Sequence, residues 1–383
     1  MFMGHPWVYA QAIARIEGEA AAGDEVTVCD PRGNVLGAGY YSPSSAIPVR
    51  LLTREGGRPL DAKFLRARIE SALALRRTVL GLGLSPESGY RAVNSEGDAL
   101  SGLIVDVFGD SAVVQFLTAG MKRRETTLVP LLVELLGVAR VYEATSPRHQ
   151  KLEAITAEDG LLWGDAPGPL TFVEHGVRYE LPAPGAEGGG QKTGYYFDQR
   201  DNRALVAAMA RGKRVLDACS FVGGFALAAA KAGAAEVVAV DSGAAAVATG
   251  ARLAEANKLD TVRFERSDAK AWMLKHKTRF DVVVLDPPKL AHHGREVEEA
   301  LGHYRKLNAA AAARVEPGGV LVTCSCSGMV KADEFVRAVA AGVRDAGRDA
   351  SLVSLRGAAG DHLTPAAFEE GRYLKCAVLT VRA

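Results

Sequence analysis

No CxxC pair occurs among the five cysteines, an odd number, so neither a disulfide framework nor a zinc ribbon is suggested. Reduced thiols are the expectation. No apolar run approaches the ~18 residues of a membrane helix, and Met1-Phe2-Met3-Gly4-His5-Pro6 lacks a basic then apolar leader pattern, which points to a cytoplasmic protein without a membrane partner. Neither sign of charge dominates: 46 Lys and Arg stand against 45 Asp and Glu. The balance is uneven along the chain, −1 over residues 1–60, −3 over 61–184 and +5 over 185–383. That excess suits phosphate contacts and equally suits ordinary surface charge. His292, His293 and His303 have no Cys or Asp at ligand spacing, so no metal is expected.

What is present reads as three domains. At 383 residues, with 48% hydrophobic and 24% charged residues, the chain has ample material for more than one core. Short strands at 25–29, 35–41 and 47–53, with the turn Pro31-Arg32-Gly33-Asn34 between the first two, predict a small β-barrel over 1–56. A helix at 62–80, strands at 103–108 and 112–117, a helix at 122–136, strands at 140–143 and 161–163 and a hairpin at 170–181 form a central α+β domain, 57–184. The tract Pro182-Ala183-Pro184-Gly185-Ala186-Glu187-Gly188-Gly189-Gly190 then breaks regular structure.

From Arg214 onward, strands at 215–218, 236–240, 262–265, 281–285, 320–323 and 374–381 alternate with helices at 225–232, 244–257, 296–314 and 331–346. This α/β rhythm predicts a mostly parallel, doubly wound sheet in a Rossmann-like domain, 185–383, with its ligand at the carboxyl ends of the strands. Four strands in order end in or just before an aspartate: Asp217, Asp241, Asp268 and Asp286. After Asp217 the loop Cys219-Ser220-Phe221-Val222-Gly223-Gly224 departs from GxGxxG but could still let backbone approach a ligand. Asp241, 24 residues beyond Asp217, stands near the offset at which an acid takes ribose hydroxyls. A loop rich in acid rather than lysine fits a cationic adenosine such as S-adenosylmethionine better than NAD or ATP. Two strands end in reactive groups, Asp286-Pro287-Pro288-Lys289 and Thr323-Cys324-Ser325-Cys326-Ser327-Gly328. Alternation along a strand puts Cys324 and Cys326 on one side, so the pattern does not choose between them.

These residues together resemble a class I S-adenosylmethionine-dependent methyltransferase, with a seven-stranded sheet. With His5-Pro6-Trp7-Val8, Gly39-Tyr40-Tyr41-Ser42-Pro43, Lys192-Thr193-Gly194-Tyr195-Tyr196-Phe197-Asp198-Gln199-Arg200-Asp201-Asn202-Arg203 and Asn257-Lys258-Leu259-Asp260, the chain is similar to the bacterial 23S ribosomal RNA (cytosine-5) methyltransferases, which carry an N-terminal PUA domain. The resemblance implies that Ser220, Phe221, Val222, Gly223 and Gly224 hold the methionine part of the cofactor, Asp241 the ribose and Asp268 the adenine, with Asp286, Lys192, Gln199 and Arg200 closing over the site. It implies RNA contacts by Lys289, Arg203 and Tyr195, a 23S ribosomal RNA partner and a possible homodimer. It also implies a basic strand ahead of His5, where four residues stand. Without the resemblance, Asp198, Arg200, Asp201 and Arg203 read as a solvated helix start, and Tyr195, Tyr196 and Phe197 as core aromatics.

Carbon 5 of cytosine is too electron-poor to take a methyl group unaided. A thiolate adding to carbon 6 raises its electron density, and Cys326 is the thiol implied by the family's Ser-Cys-Ser-Gly. Asp286 is its acid partner, hydrogen-bonding the base. The family has an apolar residue where this chain has Cys324. Amino-group methyltransferases typically carry an aromatic residue where Lys289 stands, which favours carbon methylation. The competing readings are an RNA amino-group or guanine methyltransferase and a non-catalytic RNA-binding assembly factor. Cys29 and Cys376, in apolar strands, are expected in the core, and Cys219 serves packing in the loop.

Overall fold

The computed structural model describes residues 4–187 and 193–383. Contacts divide the chain into two compact units, one of Met1–Val173, Tyr179–Phe197 and Gly360–Gly371, the other of Glu174–Arg178, Asp198–Ala359 and Arg372–Ala383. Lys192 lies outside the described residues.

In the first unit, Trp7–Val8, Val49–Thr53, Val35–Tyr41 and Glu25–Cys29 pair in that order as a four-stranded antiparallel sheet. Val8, Val49 and Leu51 form its small core. Cys29 is exposed, correcting its expected core position, because the outer strand Glu25–Cys29 alternates and ends on its outward phase. A five-stranded sheet runs Gly89–Asn94, Leu103–Phe108, Ser111–Phe116, Arg140–Glu143, Gly160–Trp163. The helix Ala62–Thr78, capped by Asp61, buries Phe64, Leu65, Ile69 and Leu73, the stripe its spacing predicts. The expected helix over 122–136 is two, Ala119–Lys122 and Glu125–Leu136.

The second unit is built on seven strands: β1 (Arg214–Ala218), β2 (Glu236–Asp241), β3 (Val262–Arg266), β4 (Phe280–Leu285), β5 (Val315–Ser325), β6 (Asp349–Arg356) and β7 (Lys375–Arg382). Their order is β3-β2-β1-β4-β5-β7-β6, parallel except that β7 runs antiparallel to both its neighbours. Strand order reverses beside β1, where β2 and β4 flank it, and the carboxyl edge there is the crevice in which such sheets bind ligands. Helices α1 (Arg200–Ala210), α2 (Gly224–Lys231), α3 (Ala244–Ala256), α4 (Ala269–Lys275), α5 (Val297–Ala312) and α6 (Ala332–Asp345) complete the unit. Val215, Leu216, Val237, Val238, Val283, Val284, Leu321 and Val322 are wholly buried, as expected for central strands covered on both faces. Among the described residues, no helix is long and apolar enough to cross a membrane.

Candidate active site

The site begins with a tight loop between β1 and α2. Cys219, Phe221 and Gly223 all have positive φ, at 65°, 50° and 83°, so two residues with side chains hold a conformation that normally favours glycine. Hydrogen bonds hold that winding in place. Ser220 N donates to Val240 O at 3.0 Å, Phe221 N to Asp241 Oδ2 at 2.8 Å, and Gly223 N to Ser220 O at 2.8 Å. Gly223 also has no room for a side chain, since a Cβ would sit 2.5 Å from the Phe264 ring. The turn thus gathers Ser220, Phe221, Val222, Gly223 and Gly224 at the carboxyl edge of the sheet.

The four aspartates converge there. Asp241 closes β2 and also accepts from Gly243 N, and Asp268 caps α4 by accepting from Ala271 N. Asp217 is wholly buried in β1 and accepts from Ala226 N; burial, then the carboxylates of Asp286 and Asp241, push it up to about 7. Burial first, then all four carboxylates, raise the Cys219 thiol. Asp217 Oδ1 and Ser220 Oγ are buried with no hydrogen-bond partner among the described residues. A buried orphan oxygen is costly unless a ligand completes it. Orphan acceptors and carboxylates around a backbone-lined turn fit a cofactor with hydroxyls, an amine and a positive charge, as S-adenosylmethionine has.

The second half of the site is held by Ser327. Its buried Oγ accepts from Leu290 N at 3.1 Å and Ala291 N at 3.2 Å and pairs with Tyr304 of α5 at 3.0 Å. One hydroxyl therefore ties the loop after Asp286-Pro287-Pro288-Lys289 to the loop of Cys326. Strand register assists, because β4 and β5 are parallel neighbours with Leu285 opposite Thr323. The Lys375 ammonium, buried at the start of β7, donates to Ser327 O, Val330 O and Tyr373 O at 2.6, 2.9 and 2.8 Å. Burial lowers its pKa to about 8, against the pull of the nearby Cys326, so it still carries its proton at neutral pH. Cys324 and Cys376 face each other across β5 and β7, both wholly buried. The Cys376 thiol and then burial hold Cys324 far above the ordinary thiol range. Cys326, just beyond the strand, is half-buried.

The segment 198–203 is not a solvated helix start. Asp198 accepts from the Tyr373 hydroxyl at 2.7 Å, and Arg200 is buried. Gln199 Nε2 donates to Asp286 Oδ2 at 3.0 Å, so these two come together. The expected RNA contacts of Arg203 and Tyr195 are corrected. Arg203 is 3% exposed and bidentate to Glu174, at 2.6 and 3.0 Å. Tyr195 is buried among Phe172, Tyr179 and Phe197, with ring centroids about 5 Å apart. Lys289 is exposed. Sequence reasoning missed Lys375, whose signal is a lysine interrupting the apolar end of the chain. It also missed Arg356, for which no local signal exists, and gave no role to Asn202 of the Lys192–Arg203 motif, although both stand beside Gln199.

Comparison with known proteins agrees with this geometry. Residues 2–54 match the PUA-like domain, and residues 103–347 match the S-adenosylmethionine-dependent methyltransferase family. A ribosomal RNA large subunit methyltransferase I from Shewanella amazonensis is 37% identical over 98% of this chain and 95% of its own. Its counterpart from Tolumonas auensis is 35% identical over 99% and 95%. The chain belongs to the S-adenosylmethionine-dependent methyltransferases. Within them it falls in the large subunit methyltransferase I family. Two solved structures share the fold at 20% identity: the methyltransferase SMU.776 with SAH, TM-score 0.82 over 98% of this chain and 96% of that one, and a methyltransferase from Streptococcus mutans, TM-score 0.80 over 98% and 95%. This enzyme uses S-adenosylmethionine.

Proposed function

We propose that this methyltransferase forms 5-methylcytosine in 23S ribosomal RNA, with Cys326 as nucleophile and Asp286 as the acid partner. The observation that carries the reading is the Ser327 hydroxyl, which joins the loop after the Asp286 motif to the loop of the half-buried thiol. Relatives named for the large ribosomal subunit and the PUA-like match support the RNA. Cys326 Sγ adds to carbon 6 of a cytosine that is unpaired or flipped out, since a base within a duplex is out of reach. Asp286 hydrogen-bonds the ring as electron density shifts to it. When bound, S-adenosylmethionine supplies the electrophilic methyl group that carbon 5 takes. A base then takes the carbon-5 proton, and its electron pair re-forms the carbon 5–carbon 6 double bond as the Cys326 sulfur leaves as thiolate.

Ser220, Phe221, Val222, Gly223, Gly224, Asp241 and Asp268 are the residues we assign to the cofactor, and Lys289 to the RNA. Mapping 5-methylcytosine in ribosomal RNA from cells with and without the gene tests the assignment. One 23S position should lose its mark and regain it on complementation. An unchanged map contradicts it.

A further inference from the structure

We propose that Arg356, Asn202 and Gln199 form a one-way hydrogen-bond relay that presents an N–H to Asp286 Oδ2, making Gln199 a positioning residue for methyl transfer. This rests on the reading of Asp286 as the acid partner. The relay's direction is set by its two fixed ends. A guanidinium only donates, and Arg356 Nε lies 3.0 Å from Asn202 Oδ1. A carbonyl only accepts, and Gly357 O takes Asn202 Nδ2 at 3.2 Å. Both fix the same orientation of the Asn202 amide, which then donates to Gln199 Oε1 at 2.7 Å. With its oxygen committed, Gln199 faces Asp286 with Nε2, at 3.0 Å.

Reversing any member would set donor against donor or oxygen against oxygen. Gln199 and Asn202 are 3% and 1% exposed, so little water can relieve such a clash. An N–H aimed at Oδ2 favours the ionised group and keeps Oδ2 an accepting oxygen whenever Asp286 takes up a proton. The acid is therefore fixed in rotation as well as in place. The titratable groups around it come from several elements: Asp217 of β1, Cys219 of the following loop, Tyr304 of α5 and Cys324 of β5.

The test uses full-length enzyme, S-adenosylmethionine and a 23S ribosomal RNA transcript. Gln199→Met should lower kcat about tenfold, the size of one lost hydrogen bond to a charged group, with cofactor affinity unchanged by calorimetry. In an Asp286→Asn background the same change should cost less than about twofold, because the relay acts through Asp286. The limb of the kcat–pH profile that Asp286→Asn removes should move to higher pH in Gln199→Met. Gln199→Glu keeps the shape and guards against a folding artefact: it should be slow at neutral pH and recover on acidification, when the introduced carboxyl can donate. Weaker cofactor binding with kcat intact, additive losses in the double variant or an unmoved pH profile overturns the relay alone. Asp286→Asn turning over at the wild-type rate overturns the relay together with the role of Asp286.

Discussion

At the residue scale, what decides each group's part is its partners, which a sequence shows only when they are near. The positions of Asp286 and Cys326, each just past a strand end within a distinctive motif, match what the strand pattern predicts. Arg203 was not legible, since its partner Glu174 lies 29 residues away and a charged residue in isolation reads as solvated. Asp217 shows what burial does to a carboxyl that the sequence marks only as a strand-end acid. Held at about 7, it binds a proton that the unfolded chain releases near the ordinary value of 3.8. Between those values the folded state carries more protons, so stability falls as pH rises from about 4 to about 7. Asp217→Asn removes that dependence. Thermal melts across this range should show a flatter slope for the variant and a gain over wild type at the alkaline end.

At the scale of elements, the βα alternation from Arg214 onward gave five of the seven strands within a residue or two, because buried parallel strands are continuous apolar runs. The fifth, β5, starts at Val315, earlier than the turn-like Pro317-Gly318-Gly319 suggested. β6 escaped because it is an edge strand with Leu352, Val353 and Leu355 exposed, so its pattern carries no burial signal. The helix α4, seven residues long, is too short for periodicity to register. β7 supplies a buried cation, Lys375, beside the Cys326 loop. Lys375→Met would strip donors from three carbonyls around the Cys326 loop, a cost of about 1–3 kcal/mol per buried group left bare. The variant should melt lower than wild type. Its Cys326 should also alkylate more slowly with iodoacetamide at neutral pH, because a nearby positive charge favours the thiolate.

At the scale of the whole molecule, the least legible feature is the excursion 360–371, which lies between β6 and β7 in sequence yet belongs to the first unit. Asp361 accepts from Arg91 N at 2.9 Å, and Phe368 meets the Trp7 ring at 4.7 Å. Nothing in its composition announces those partners. Native-state hydrogen exchange should show amides of 360–371 opening together with those of 89–98 rather than with β6 and β7. The proposed mechanism requires a covalent bond from Cys326 to the target base. A 23S transcript carrying 5-fluorocytosine tests it directly, because fluorine at carbon 5 blocks the elimination that releases the enzyme. With S-adenosylmethionine, wild type and Cys324→Ala should give a protein–RNA adduct that survives denaturing electrophoresis, and Cys326→Ala should give none. An adduct that persists in Cys326→Ala, or full methylation of the ordinary transcript by that variant, would contradict the account.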